Sequence, residues 1–223
     1  MVGMREGWGL IRDFIDKLSQ HGRRNAIYRG QACEQWKVIP SAFREGVTGI
    51  TDEKRLNDWK WRSARFAAPL PQDSIEWLLM AQHYGLPTPL LDWTTSPLVA
   101  LFFACQGEAH AKCNGEIWVS NLGEFEVAHH TLYIDPFRTD RARPFAINGV
   151  GRNVRSTAQD SVLTLHTRSD CENFNLSTLF TVPAAFKQPV VSQLSKLGVT
   201  ADRLLYDIHH LVKDIKLEYN RDQ

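Results

Sequence analysis

Two short stretches of this chain carry polar residues that packing alone does not ask for: Tyr28-Arg29-Gly30, and the run from Gln82 to Ala104. In the second, Leu90, Leu91, Leu98, Val99, Leu101 and Phe102 read as buried scaffold, while Gln82, His83, Asp92, Trp93, Thr94, Thr95 and Ser96 crowd the ends of the same apolar segments. Polar groups gathered at the rim of a buried scaffold are the material of a binding cleft. The competing reading is local structure, with Asp92 or Thr95 capping the following helix and His83-Tyr84 forming a satisfied turn.

Other chemistries find less support. His129-His130 and His209-His210 are adjacent pairs whose rings point in different directions on a helix or strand, and no cysteine lies near them, so no metal site is expected. There is no G-x-S-x-G elbow, no P-loop and no G-x-G-x-x-G after a strand. A third stretch does invite a partner: Arg138, Arg141, Arg143, Arg152 and Arg155 lie close together with Phe137 and Phe145 interleaved, a pattern seen in RNA- or DNA-binding surfaces. Asp135 and Asp140 dilute its charge, and a solvated face is the plainer account.

These residues need elements to hold them. Ile11, Phe14, Ile15 and Leu18 recur at helical spacing, and Gly22 can end that helix. Ala26-Ile27-Tyr28 reads as a strand delivering Arg29 and Gly30 to its end. Asp52 to Phe66 is a charged helix, and Ser74 is a plausible N-cap for a helix through Ile75, Leu78, Leu79 and Gln82. Pro87 and Pro89 stop it, Leu90-Leu91 is extended, and Pro97 suits the first turn of an apolar helix to Ala104. Strands are expected after Asn114-Gly115 through Ile117, Val119 and Leu122, at Ser161 to Leu165, and at Ser177 to Val182. Val190, Val191, Leu194 and Leu197 before Gly198, then Leu204, Leu205, Ile208, Val212 and Ile215, give two closing helices. The class is α+β: a single domain over 1–223, with small twisted sheets flanked by helices and 138–155 as a mobile insertion.

Composition agrees with one ordinary core: 223 residues, 43% hydrophobic and 23% charged. A net charge of +1, from 26 basic and 25 acidic residues, excludes partner recognition by bulk electrostatics. Cys33, Cys105, Cys113 and Cys171 form no C-x-x-C, with Cys105 inside an apolar helix, and this points to a reducing, cytoplasmic setting. No signal peptide or membrane span is expected.

The ordered motifs resemble the FRG domain family: Tyr28-Arg29-Gly30-Gln31, Pro40-Ser41, Gln82-His83-Tyr84-Gly85-Leu86-Pro87-Thr88, and Leu90-Leu91-Asp92-Trp93-Thr94-x-Ser96-Pro97 continuing to Ala104. Looser matches follow at Gly115-x-Ile117-x-Val119, Arg155-x-x-x-Gln159, Leu163-Thr164-x-His166, Gly198 and Leu205-x-Asp207, so the resemblance runs along nearly the whole chain. Pro89 stands where the family normally has arginine. The order of parts is also similar to that of ADP-ribosyltransferases, in which a strand ends in an arginine motif, a Ser/Thr-rich turn leads to an apolar helix, and late strands carry a third motif.

That second resemblance implies NAD as a substrate. Breaking its nicotinamide–ribose bond passes through a cationic sugar and needs positioning and charge stabilisation more than a strong nucleophile. Arg29 would anchor pyrophosphate or ribose oxygens with its planar fork, or else pair with an acid such as Asp92, and Gly30 would let the ligand approach the backbone. Thr94 and Ser96 stand in the place of the transferases' hydroxyl motif, with His83 and Asp92 beside them. Tyr84, Trp93 and Phe103 are ring-stacking or core aromatics. The transferases' third-motif glutamate is missing, because no Glu-x-Glu occurs here. Gln159 is the nearest counterpart, an amide that orients a hydroxyl without supplying charge, and Asp160 or Asp207 are acidic alternatives. Three functions are therefore carried forward. The first is an ADP-ribosyltransferase modifying a macromolecule (nucleic acid or protein), as a toxin or phage-defence effector held in check by an inhibitory protein. The others are a nucleic-acid-binding module and a nucleotide hydrolase, each using the same cleft.

Overall fold

A computed structural model describes residues 4–21, 24–128, 130–140, 142–148, 158–173 and 176–205. Helix α1, Met4–His21, opens the chain and leads to strand β1, Ala26–Gln31. Helix α2 spans Glu53–Ser63 and helix α3 spans Ser74–His83. The cap of α3 is Asp73, whose side chain accepts from the Glu76 amide, and Ser74 is the first helical residue rather than the cap expected. A carboxylate makes the stronger partner for the unpaired amides and positive dipole of a helix start. Strand β2, Leu90–Thr94, follows, and helix α4, Pro97–Cys105, starts on its proline as expected.

Strand β3 is Gly115–Asn121, β4 is Glu126–Ala128, β5 is Phe145–Asn148 and β6 is Ser161–Leu165. After helix α5, Arg168–Asn173, come strand β7, Ser177–Val182, helix α6, Lys187–Lys196, and helix α7, Ala201–Leu204. The predicted helix through Val212 and Ile215 lies beyond residue 205, outside the described residues, as do Gly22 and His129. Within the stretch expected as a mobile insertion, β5 is an integral strand paired on both sides, while 149–155 are not described.

The α+β class holds, and the strands gather into one open, seven-stranded sheet in the order β4-β5-β6-β2-β1-β3-β7. Every pairing is antiparallel except β4 with β5. The helices cover one face in two patches. Residues of α3 pack with Leu90, Ile147, Leu163 and Leu165, whereas α4 packs with α1, α6 and the Ile117 and Val119 side of β3. On the other face, Ile27, Leu91, Trp93, Phe125, Ala146 and Val162 make a third cluster. Each patch follows from strand alternation, which sends Ala26, Tyr28 and Gly30 towards α4 and Ile27 to the opposite side.

One irregularity decides where the site falls. β1 shares six register pairs with β3, and β2 shares five with β6, but β1 and β2 meet at the single pair Tyr28–Thr94. The sheet therefore splits at its centre, beside Arg29 and Asp92. No helix among the described residues is long and apolar enough to cross a membrane. All four cysteines are free, and burial pushes the Cys105 thiol up to about 12, so it stays protonated and packs as a small apolar group.

Candidate functional site

The β1 strand forms because Ala26-Ile27-Tyr28 supplies a half-buried extended run, and its glycine lets the strand meet a helix. A β-carbon on Gly30 would lie 1.8 Å from the Ala100 carbonyl oxygen and 2.7 Å from the Ala104 nitrogen. The absent side chain thus serves close seating of β1 on α4, and Gly30 also lines the cleft at which a ligand approach was expected. Gly30→Ala should force main chain apart and destabilise the fold by about 3 kcal/mol or more, a fall in melting temperature of several degrees. Thermal unfolding would check it, and an unchanged midpoint would mean that α4 is not held against β1 in this way.

At the split between β1 and β2, the helices α3 and α4 leave a cleft of about 330 Å³. Tyr28, Leu79, Phe103 and Leu163 give it apolar walls, and Arg29, Gln82, His83, Asp92 and Gln159 line it with polar groups. Its size sits at the low end for small-ligand sites, which run from roughly 300 to 1,000 Å³.

Arg29 holds the centre. It reaches across the split, and its Nη1 donates to the main-chain carbonyl of Asp92 at 2.6 Å. Its Nε is buried without a hydrogen-bond partner. Burial holds the guanidinium down at about 10; the negative charge of Asp92 pulls it back up, and the positive charge of Arg44 adds to the fall. The group is still protonated at neutral pH, so the cleft carries a cation that its surroundings compensate only in part. Arg29 is thus a neighbour of Asp92 through that main-chain carbonyl and through charge.

Asp92 is placed by a relay of motif side chains. Gln82 Nε2 donates to Asp92 Oδ2 at 2.7 Å, and Thr88 Oγ1 donates to Gln82 Oε1 at 2.6 Å. The Thr88 amide donates to Ser41 Oγ at 3.2 Å, and the Ala42 amide to the Thr88 carbonyl at 3.2 Å. Thr88 is fully buried, so the chain Ser41–Thr88–Gln82–Asp92 is anchored at its inner end. This explains why Pro40-Ser41 and the Gln82-to-Thr88 segment accompany Arg29 in sequence.

The remaining expected residues divide. Gln159 lines the cleft with its Nε2 donating to the Leu204 carbonyl at 2.7 Å. Thr94 also lines it, but its hydroxyl is used within the protein, donating to the Gln159 carbonyl at 2.7 Å and accepting from the Ser96 amide at 3.0 Å. Ser96 occupies the N-cap position of α4, makes no side-chain cap bond there, and is not among the cleft-lining residues. His83 stands exposed at the rim against Tyr84, whose ring faces a neighbouring hollow instead. Trp93 is buried with its Nε1 donating to Thr164 Oγ1, and Phe103 contributes part of its ring to the cleft wall. Asp160 lies outside the lining, in a tight turn with φ 47°, and Asp207 is not described.

The basic stretch is less available than its sequence implies. Arg138 is engaged with both carboxylate oxygens of Asp140, and Arg143 Nη1 donates to the Gly123 carbonyl at 2.9 Å. Phe137 and Phe145 pack against the α3 core cluster instead of standing out between charges. Arg141, Arg152 and Arg155 lie outside the described residues. Sequence reasoning did not single out Leu79, Ser161 or Leu163 as cleft residues. The first lies on the same α3 surface as Gln82 and His83, at i−3 and i−4, so helical periodicity was the available signal.

Residues 24–113, which hold Arg29, the relay and α4, match the FRG domain. No curated protein and no solved structure matches the chain.

Proposed function

We propose, from the match of residues 24–113 to the FRG domain and from the cleft that their Arg29, Gln82, Asp92 and Thr94 line, that this cleft binds NAD and transfers its ADP-ribose to a macromolecular acceptor. The observation that carries the reading is the partly compensated Arg29 guanidinium at the split in the sheet, with apolar walls on either side. An arginine fork of this kind suits a pyrophosphate. Tyr28, Leu79 and Phe103 suit a flat nicotinamide ring.

In the transfer, the bond between the nicotinamide nitrogen and ribose C1′ breaks, its electron pair leaving with nicotinamide. The acceptor's nucleophile then bonds to C1′ and gives up its proton, with water as acceptor in simple hydrolysis. Asp92 is the acid that lines the cleft, and it takes the part of the missing third-motif glutamate: its negative charge stabilises the developing cationic sugar. Gln159 keeps Nε2 on Leu204 and offers Oε1 to a ribose hydroxyl, and Thr94 holds the main chain at 159 in place. An activity that consumes NAD in this way fits an effector restrained by an inhibitory protein.

Nicotinamide release from NAD by the purified protein, followed by chromatography with and without added RNA, DNA and cell protein, tests the reading. Release that rises with one acceptor class is expected. Absence of release under every condition would overturn it.

A further inference from the structure

A second hollow, of about 510 Å³, lies beside the cleft and shares its wall residues Leu79 and His83. It is lined by the 66–72 segment and by Glu76, Met80 and Tyr84 of the α3 end. Its aromatic rims stand in solvent: Phe66 is 71% exposed and Tyr84 64%. Large apolar rings left out at this level mark a contact surface.

The surroundings identify the partner's chemistry. The Arg65 guanidinium lies over the Phe66 ring, 5.0 Å from its centroid. Trp61, one helical turn before Arg65 on the same side, is 85% exposed, and Arg62 lies beside it, paired to Asp58 at 3.4 Å in an exposed ion pair that gives way readily. Exposed rings alternating with arginines provide flat stacking platforms and backbone cations together. At the pocket itself, Gln72 and Glu76 are the polar lining residues, joined by the Gln72 amide donating to Glu76 Oε2 at 2.7 Å. An uncharged peptide side chain would use the apolar hollow but would offer nothing to the Arg65 guanidinium over its Phe66 rim.

We propose that this corner of α2 and α3 binds an unpaired nucleic-acid strand, with one base in the hollow between Phe66 and Tyr84, its neighbours on Trp61, and the phosphates on Arg62 and Arg65. The shared wall of Leu79 and His83 sets that base next to the Arg29 cleft. If the transferase reading holds, this is the acceptor site, and the acceptor is a single strand. The binding surface itself does not depend on that reading.

The test is fluorescence anisotropy with a short labelled oligonucleotide of mixed sequence, as unpaired DNA, unpaired RNA and DNA duplex, over a salt series. Unpaired strands should bind and the duplex should bind at least tenfold more weakly. Phe66→Ala and Trp61→Ala should each weaken strand binding about tenfold, since stacking on an aromatic is worth that much or more. Arg65→Gln should lower the slope of log affinity against log salt by about 0.7. These side chains are exposed, so the variants should melt with the unaltered protein. Duplex binding as tight as single-strand binding, affinity unmoved by Phe66→Ala and Trp61→Ala, or displacement of the strand by an unfolded polypeptide with no salt dependence would each overturn the proposal. Strand binding without nicotinamide release would leave this surface standing and remove the transferase reading alone.

Discussion

Replacing Arg29 by glutamine is expected to abolish nicotinamide release while leaving the melting temperature at or above that of the unaltered protein. The two halves of this result have one cause. Burial lowers the guanidinium from its ordinary value to about 10, so the folded state holds its proton more weakly than the unfolded chain does. A base with a lowered folded value costs stability at every pH below that value, and the cost fades only as pH rises from about 10 towards the ordinary arginine value. At neutral pH the penalty is on the order of 3 kcal/mol, at about 1.4 kcal/mol per unit. Glutamine keeps a donor for the Asp92 carbonyl and discards the charge. Conversely, pyrophosphate or NAD should raise the melting point of the unaltered protein and not that of Arg29→Gln. Differential scanning fluorimetry with each ligand decides. A variant that melts several degrees lower would make Arg29 a structural cation; a variant that still releases nicotinamide would remove it from the chemistry.

Asp92→Asn should lower the rate of nicotinamide release about a hundredfold or more, while NAD affinity changes little. Stabilisation aimed at charge that develops only in the transition state appears in kcat, and removal of one such group costs about 10² to 10³. Asparagine keeps an oxygen for Gln82 Nε2, so the relay from Ser41 stays closed. Gln159→Ala should cost less, because it removes an orienting group without removing charge. Single-turnover kinetics beside ligand-induced thermal shifts separate the two quantities. A rate within threefold of the unaltered protein would exclude Asp92 as the stabilising charge, and loss of NAD affinity at constant kcat would assign it to binding.

Much of the scaffold was legible because its signals are local. Pro97 at the first turn of α4, the alternation behind Ala26-Ile27-Tyr28, and Gly198, which adopts φ 79° after α6, each state their structure within a few residues. The crowding of Gln82, His83, Asp92 and Thr94 likewise pointed to a cleft, and all four line it. What sequence did not disclose is non-local. Strand order places β2 between β1 and β6, far apart in the chain, and nothing in Leu90–Thr94 names either neighbour. The short strands Glu126–Ala128 and Phe145–Asn148 give too few alternations to stand out from a polar stretch. The roles inside the cleft were hidden for the same reason: the uses of Gly30 and Thr94 depend on Ala100 and Gln159, whose proximity only the fold creates. Asp92 was visible as a cleft residue, yet that it lines the cleft while Asp160 lies outside it is known only from the fold.

A sheet joined at its middle by one rung behaves mechanically as two plates on a common spine. The plates are β4-β5-β6-β2 with α3 and β1-β3-β7 with α4, and the spine is the cluster of Ile27, Leu91, Trp93 and Phe125 on the face away from the helices. Rotation about that spine would alter the gap beside Arg29 by disturbing one backbone pairing and the Arg29–Asp92 hydrogen bond, with the pairings inside each plate kept. The contact of Arg29 with Asp92 is thus a tie between the plates, and a ligand that competes for the guanidinium would act on their join as well as on the cleft.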